Sequence, residues 1–236
     1  MEQFDISDKE YEKVRTAFEL IDWLGKKFVE MEMLIGFDNI YWERKGKNVK
    51  KLVEEAEPIS RLAMFLSTPH NEVSVKLNSG NDNYDAELEI KHSEHFPIFK
   101  NKQFKVEVST TETEDSTMRR QALSRQGTAP LTGKITRDGR NIIADEGKFV
   151  NIAERESSVI ALLFKRFLKK VESQKYDSDT TILIHSSDLN PISIHSRAKL
   201  VRRARHYILE NNPEIRGLYF TYSFNKSVDS VSWYER

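Results

Sequence analysis

Hydrophobic positions in the first part of the chain recur every three or four residues, as they do in amphipathic helices. The first such stretch covers residues 8–33, and its apolar side chains are expected to face a core. They are Val14, Phe18, Ile21, Leu24, Phe28 and Met31. A second stretch covers residues 48–66, where Pro58 is expected to kink or split the helix because proline lacks a backbone N–H. The pattern therefore predicts two opening helices.

From residue 70 the hydrophobic period changes to two, which is typical of half-buried strands. Strands are predicted at residues 73–77, 84–90 and 104–110, and their succession favours an antiparallel meander. The later elements are a helix at 116–126, a hairpin at 131–144, a helix at 151–174, a strand at 180–185, a helix at 196–211 and strands at 218–224 and 228–234. This order predicts a mixed α/β (α+β) fold, with a central mixed sheet that contains the meander and is flanked by helices.

The composition limits the chemistry of any metal site. The chain has 236 residues, of which 37 are Lys or Arg and 37 are Asp or Glu, and it has no cysteine. Disulfides, thiolate metal sites and thiol nucleophiles are thereby excluded, so ligands would be carboxylates, histidines or backbone oxygens, which favours Mg²⁺ or Mn²⁺. The chain shows neither an apolar leader nor a stretch long enough to span a bilayer, so we expect a cytoplasmic protein without a membrane partner.

Two predicted strands carry acidic residues on a common face. Because side chains alternate across a strand, Asp85 is expected on the same side as Glu107 and Lys105. In an antiparallel register that places Asp85 opposite Glu107, Glu87 lies opposite Lys105. The Cβ atoms of two directly opposed carboxylates are about 5 Å apart, close enough for both to bind one divalent cation. The alternative is an ordinary solvated strand face, with Glu87 and Lys105 as a cross-strand pair.

At these positions the chain resembles the PD-(D/E)XK nuclease superfamily, which has the restriction-endonuclease-like fold. Tyr84-Asp85 stands where that family has Pro-Asp, and Glu107-Val108-Ser109 stands where it has Glu-x-Lys. The resemblance covers about residues 48–185. It implies a restriction-endonuclease-like α/β domain over residues 48–236, preceded by an N-terminal helical extension over residues 1–47.

The resemblance also implies a set of site residues. Asp85 and Glu107 would bind Mg²⁺, joined by an acid of the first core helix, with Glu54, Glu55 and Glu57 as candidates and Glu54 as the chosen ligand. Ser109 replaces the family's lysine, so Lys105 is the candidate cationic partner. If Lys105 instead pairs with Glu87 or Glu89, the domain would be catalytically inactive.

The function implied is Mg²⁺-dependent hydrolysis of phosphodiester bonds, in a nuclease of a restriction, defence or mobile-element kind. The helix after the third strand would face the substrate, with Gln121 in the active site. Its arginines, which would contact phosphates, are Arg119, Arg120 and Arg125.

The helix predicted at residues 196–211 is strongly basic. Between Ser196 and His206 it contains no acid, and its arginines are Arg197, Arg202, Arg203 and Arg205. Such a face is typical of nucleic-acid binding, with DNA expected more than RNA, although a solvated helix face is the alternative. Two other functions remain open: a non-catalytic protein of the same fold that binds nucleic acid or protein, and an oligomer, such as a homodimer, that pairs the helix at 8–33 with its copy.

Overall fold

The structure is a computed structural model, and it describes residues 4–34, 37–44, 46–80, 82–92, 102–129, 134–138, 141–145, 151–173, 175–189, 191–223 and 226–231. The helices are α1 Asp8–Tyr11, α2 Ala17–Glu32, α3 Phe37–Trp42, α4 Lys47–Lys51, α5 Glu57–Leu66, α6 Glu114–Gln126, α7 Ile152–Glu172 and α8 Ile194–Asn211. A π-helical turn, Leu52–Ala56, connects α4 to α5. The strands are β1 Arg15–Thr16, β2 Asn71–Leu77, β3 Ala86–His92, β4 Lys102–Thr111, β5 Lys134–Asp138, β6 Asn141–Asp145, β7 Thr180–Ser186, β8 Gly217–Tyr222 and β9 Val228–Val231.

One mixed sheet organises the fold, with seven strands in the order β1-β2-β3-β4-β7-β8-β9. The strands from β1 to β4 pair antiparallel, β4, β7 and β8 pair parallel, and β9 returns antiparallel to β8. The separate hairpin of β5 and β6 packs against α6 through Ala122, Ile135 and Ile142. The predicted mixed α/β fold with an antiparallel meander is confirmed.

Helices cover both faces of the sheet. On one face, α2 and α5 pack on the period-two apolar residues of β2, β3 and β4, such as Val75, Leu88 and Val106. On the other face, α7 and α8 pack on residues of β7 and β8, such as Ile184 and Phe220. Glu107 lies between the apolar positions of β4 and therefore projects toward α7 rather than α5.

The predicted helix at residues 8–33 is broken into α1 and α2. Thr16 starts α2 with a capping box, in which its hydroxyl accepts from the Glu19 amide while the Glu19 carboxylate accepts from the Thr16 amide. The residues just before this cap form β1, which pairs with β2 at the edge of the sheet. A strong cap inside the apolar pattern therefore interrupts what the periodicity alone presents as one helix.

The buried face of α2 also differs from the prediction. Ala17, Leu20, Leu24 and Met31 are buried, whereas Phe18 and Ile21, which we expected in the core, are exposed along with Val14. Apolar residues occur on both sides of this helix, so periodicity alone does not fix which side faces the sheet.

Arg15 is buried although its side chain is charged. Its guanidinium donates to the carbonyl oxygens of Tyr11 and Lys13 at 3.2 and 2.8 Å, and it lies 4.1 Å from the Trp23 ring centroid. These contacts satisfy a buried cation without a carboxylate and fix the turn between α1 and β1.

The segment that precedes residue 47 contributes to the same core as the sheet. Tyr11, Leu20 and Met31 belong to the hydrophobic cluster that contains Val75 and Leu88. A domain boundary at residue 47 stays a prediction. Among the residues that the structure describes, no helix combines the length and apolar character needed to cross a bilayer.

The π-helical turn lies just before Pro58. Proline cannot donate a hydrogen bond to the carbonyl of the residue four positions earlier, which is Glu54. The Glu54 carbonyl instead accepts from the Thr110 hydroxyl of β4 at 2.9 Å. Pro58 does not split the helix in two, but the helix widens into a π turn immediately before it and is tied there to β4.

Candidate functional site

Asp85 lies just before β3, close enough to Glu107 of β4 for the two charges to interact. The β3–β4 register pairs Glu87 with Lys105 and ends with the pair of Ala86 and Val106. The Asp85 amide also donates to the Val106 carbonyl, at 2.8 Å, which is one residue out of that register, so Asp85 and Ala86 both lie across from Val106. The predicted pairing of Glu87 with Lys105 is therefore correct, but the ladder ends before it pairs Asp85 with Glu107.

The Asp85 carboxyl is largely buried, and one of its oxygens is anchored. Its Oδ2 atom accepts from the Val108 amide at 2.7 Å. Burial and, second, the negative charge of Glu107 raise the pKa of Asp85 to about 6, although the Val108 hydrogen bond opposes this. The other carboxyl oxygen, Oδ1, is not used by that bond.

Glu107 is held by two side chains from outside the meander. Its Oε1 atom accepts from the Lys170 ammonium of α7 and, at 3.3 Å, from the Tyr176 hydroxyl. Burial disfavours the charged form of Lys170, but the hydrogen bonds and charges of Glu107 and Tyr176 together outweigh it, so the pKa of Lys170 is raised. Lys170 also lies 5.8 Å from the Tyr176 ring centroid. A lysine that the sequence analysis did not single out therefore contacts this acid.

Glu55 is the third acid of the group. It lies in the π turn, and burial followed by the charge of Asp85 raises its pKa to about 7. Tyr11 of α1 is buried beside it, and burial followed by the charges of Glu55 and Asp85 raises the pKa of Tyr11. The Tyr11 hydroxyl has no partner at hydrogen-bond geometry among the described residues. We call Glu55, Asp85 and Glu107 the acidic site.

Glu107 pairs with Lys170, but the other two acids of the site, Asp85 and Glu55, form no ion pair with a described residue. Lys51 lies 5.3 Å from the Tyr11 ring centroid, but its ammonium donates to the Ser79 carbonyl at 2.6 Å. Within the described ranges of the chain, no three acids or histidines are grouped closely enough to enclose a metal ion. The donor chemistry nevertheless suits Mg²⁺ or Mn²⁺, which often take one or two carboxylates and complete their shell with water and phosphate oxygens.

Other residues predicted for the site have different partners. Glu54 pairs with Arg44 at 2.6 Å, and Lys105 pairs with Asp177 at 3.1 Å rather than with Glu107. Lys105 also pairs with neither Glu87, which accepts from the Tyr84 hydroxyl at 2.9 Å, nor Glu89, which pairs with Lys91 at 3.2 Å.

The α6 residues are likewise bound to protein groups. Gln121 accepts from Arg137 at 2.6 Å. Each arginine of this helix has a carboxylate partner: Arg119 with Asp115 at 2.8 Å, Arg120 with Glu112 at 2.9 Å, and Arg125 with Glu43 at 3.5 Å. Arg119 is also buried. We call these three pairs the arginine cluster, and its cations are neutralised by acids within the chain.

The basic residues of α8 divide into two groups. Arg197 is partly buried against Asp229 at 3.1 Å, and Arg203 lies 3.9 Å from the Phe164 ring centroid. Three basic residues are exposed and form no ion pair with any described residue: Lys199, Arg202 and Arg205. One outer face of α8 therefore presents cations to solvent.

One functional candidate, Lys170, is missing from the sequence prediction, and a second, Glu55, was a candidate that was not chosen. Lys170 is separated from Glu107 by 63 positions and belongs to what the periodicity presents as the polar side of a helix. Glu55 was one of three candidates, and it differs from Glu54 in its surroundings, because Glu54 pairs with Arg44 whereas Glu55 interacts with Asp85. Comparisons of the chain with models of protein families, with curated proteins and with solved structures found no match.

Proposed function

We propose that the protein hydrolyses phosphodiester bonds in nucleic acid and uses Mg²⁺ or Mn²⁺ held by Asp85 and Glu107. The observation that carries the proposal is the proximity of these two carboxyl groups, because the charge of Glu107 adds to burial in raising the pKa of Asp85. Neighbouring carboxylates destabilise each other unless a proton or cation lies between them. A bound divalent cation would relieve that repulsion, polarise a phosphate and lower the pKa of a bound water.

Each acid has a separate role in this proposal. The Val108 amide orients Asp85 and leaves Oδ1 for a ligand. Glu55, whose pKa is raised to about 7, replaces Glu54 as the acid from the first core helix. A carboxyl with a pKa near neutrality is suited to accept the proton of an attacking water.

Lys170 supplies the cation that Ser109 cannot. Its ammonium contacts Glu107, so it lies where positive charge can stabilise negative charge that develops on a phosphate. Lys105 is assigned a structural role because it pairs with Asp177. The two lysines form a matched test, since each could be replaced by methionine with little change in side-chain length.

The nucleic-acid contacts are assigned to α8 rather than α6. Lys199, Arg202 and Arg205 are exposed without ion pairs to the described residues, whereas the arginine cluster is already neutralised. Unpaired cations release counterions on binding a phosphate backbone and so favour association. DNA is preferred to RNA as the substrate, and a restriction or defence nuclease of this kind would act in the cytoplasm.

A cleavage assay tests the proposal. The purified protein would be incubated with labelled DNA and RNA in Mg²⁺, Mn²⁺ or EDTA. We expect metal-dependent cleavage that falls by roughly 1,000-fold in Asp85→Asn and Glu107→Gln and by roughly 100-fold in Lys170→Met. Lys105→Met and Glu89→Gln are controls that should retain activity, because Glu89 pairs with Lys91 outside the acidic site. The proposal would be refuted if Asp85→Asn cleaved as well as the wild type, or if the wild type cleaved neither nucleic acid.

A second candidate is a non-catalytic protein that binds nucleic acid. The contact between Lys170 and Glu107 favours it, because an ammonium can neutralise the acid in place of a metal, and Ser109 leaves the strand without the family's lysine. In that case binding would weaken steeply with salt, EDTA would not affect it, and no product would form. Binding that is insensitive to EDTA, together with absent turnover, would favour this function over hydrolysis.

A further inference from the structure

The solvent side of α2 carries a continuous apolar stripe. Phe18, Ile21, Val29 and Met33 are 66%, 40%, 50% and 79% exposed, and they follow one another at intervals that keep them on one helix face. Single exposed apolar residues are common on protein surfaces, but a contiguous apolar patch usually marks an interface. We call these four residues, with Gly25 between them, the α2 stripe.

The α2 stripe is symmetric about Gly25. Ile21 and Val29 lie four residues before and after it, while Phe18 and Met33 lie seven before and eight after. A Cβ atom added at Gly25 would meet nothing within 4 Å, so the middle of the stripe is open to a close approach. A twofold axis through Gly25 would bring the stripe onto an identical stripe that runs antiparallel to it, as an isologous interface requires.

The charged residues beside the stripe have the same symmetry. Asp22 and Lys26 are both exposed and form no ion pair with any described residue. In an antiparallel pair centred on Gly25, residues whose numbers add to about 50 lie at the same level. Asp22 then lies close to Lys26 of the partner subunit, and the same pair recurs across the axis. The flank of the stripe is thus complementary to itself in charge.

A groove lies at the end of the stripe. It encloses about 440 Å³, and its lining includes Ala17, Phe18, Met64 and Val73. The antiparallel register places Met33 of the partner subunit at the level of Ala17. A flexible, largely exposed methionine is suited to fill an apolar groove of this kind. The groove adds contact area beyond what two helices of about 24 Å length would bury by themselves.

We infer that a second copy of this chain docks on the α2 stripe, antiparallel and across a twofold axis at Gly25. The inference does not depend on the proposed hydrolytic function, because none of the residues of the stripe belongs to the acidic site or to α8. It identifies the surface and the register of a homodimer, so both can be tested without an activity assay.

Gly25→Glu is the first test. Glutamate is a better helix former than glycine and has room at this position, so the monomer should fold. The substitution places two like charges at the axis. Sedimentation equilibrium of the wild type between about 1 and 100 µM should show a dimer, and the dissociation constant of Gly25→Glu should rise at least tenfold. Leu209→Glu, on an exposed leucine of α8, is the matched control and should leave the dimer unchanged.

Charge reversal tests the register. Asp22→Lys should weaken the dimer roughly tenfold, because two attractive pairs become repulsive. Lys26→Asp should do the same, and the double variant Asp22→Lys with Lys26→Asp should recover the wild-type constant. A wild-type protein that is monomeric at 100 µM, a dimer insensitive to Gly25→Glu, or a double variant no tighter than the singles would overturn the inference. An apolar surface used for a different protein would give the first of these results.

Discussion

The acidic site and the arginine cluster contain the same kinds of residues in opposite states of charge balance. Beside α6, each arginine meets a carboxylate, as Arg120 does with Glu112 at 2.9 Å. In the acidic site, burial and mutual repulsion raise the pKa of Asp85 to about 6 and that of Glu55 to about 7. The first arrangement stabilises the fold without a ligand, whereas the second leaves negative charge that a proton or cation must offset.

This difference separates charges that are neutralised within the fold from charges that are left unbalanced. From the sequence, the arginines of α6 were candidates for phosphate contacts and the acids of the meander were candidates for a metal site. Their neighbours distinguish them, because a guanidinium that already binds a carboxylate has fewer donors and less net charge to offer a phosphate. Substitutions on the two sides of this contrast should therefore change the free energy of unfolding by different amounts.

Breaking the arginine cluster should have the largest effect. Arg120→Met would leave the Glu112 carboxylate, only 10% exposed, without its partner. We expect a loss of about 3 kcal/mol, because a buried charge is left uncompensated. Urea unfolding measures it. Arg125→Met is the control, since Arg125 is 46% exposed and its removal should change stability by less than about 0.5 kcal/mol. Equal effects of the two substitutions would contradict the structural role of the buried pair.

Glu55 should make stability depend on pH. Its folded pKa of about 7 lies above the usual value, so the folded state binds its proton more tightly than the unfolded state. The stability that this tighter proton binding supplies is fully present below the pKa of Glu55 in the unfolded state, and it is lost as the pH rises through 7. We expect the free energy of unfolding to fall by about 2 kcal/mol between pH 5 and 8.

The variant Glu55→Gln should reduce this slope and be more stable than the wild type at pH 8. Asp85 should supply the part of the slope that remains, because its pKa is also raised. Glu89→Gln is the comparison, since Glu89 is partly exposed beside Lys91 and its removal should leave the slope as it is. Parallel pH profiles for wild type and Glu55→Gln would show that the acidic site carries no stored repulsion.

A divalent cation should reverse part of the repulsion. At pH 8, 10 mM MgCl₂ should stabilise the wild type by about 1 kcal/mol and raise the melting temperature by roughly 3 °C, as expected for a ligand that binds only the folded state. Asp85→Asn should lose the shift. NaCl at the same ionic strength is the control for screening, and an equal shift with NaCl would count against a bound metal.

The exposed cations of α8 should matter least for folding. Arg202→Ala and Arg205→Ala together should change the free energy of unfolding by less than about 0.5 kcal/mol, because both side chains lie in solvent. The double variant should nevertheless bind DNA more weakly. The slope of the logarithm of its binding constant against the logarithm of the salt concentration should become smaller in magnitude by about two. Arg125→Ala, from the neutralised cluster, should leave that slope unchanged, and an equal decrease there would remove the distinction between α6 and α8.

Much of the fold follows from periodicity, because the sheet and its helices repeat their burial at regular intervals. The alternation of Val73, Val75 and Leu77 correctly predicts β2, and the predicted pairing of Glu87 with Lys105 is present, although the β3–β4 register ends before it reaches Asp85. The predicted orientation of α2 was wrong because apolar residues such as Phe18 occur on its outer side. The hydrophobic pattern does not distinguish a helix face that packs in the core from one that is exposed.

The partners of the site residues could not be predicted in the same way. Lys105 is close to Glu107 in sequence, yet the structure pairs it with Asp177, and Lys170 reaches Glu107 from α7. Those contacts depend on how a helix crosses the sheet, and the spacing of residues in a single sequence does not reveal that crossing.

The position of Glu55 depends on the number of residues in the π turn between α4 and α5. Each residue of a π turn advances the helix by less than the roughly 100° of an α-helix, so the turn accommodates one extra residue, and deletion of one residue would restore an α-helix whose halves keep their faces. Helices α4 and α5 would then both keep their core residues, Val49 in the first and Ile59 and Leu62 in the second. The change would be confined to the turn, where it would shift the acids that face Asp85. An in-frame loss of one codon here would therefore spare the core and alter the acidic site.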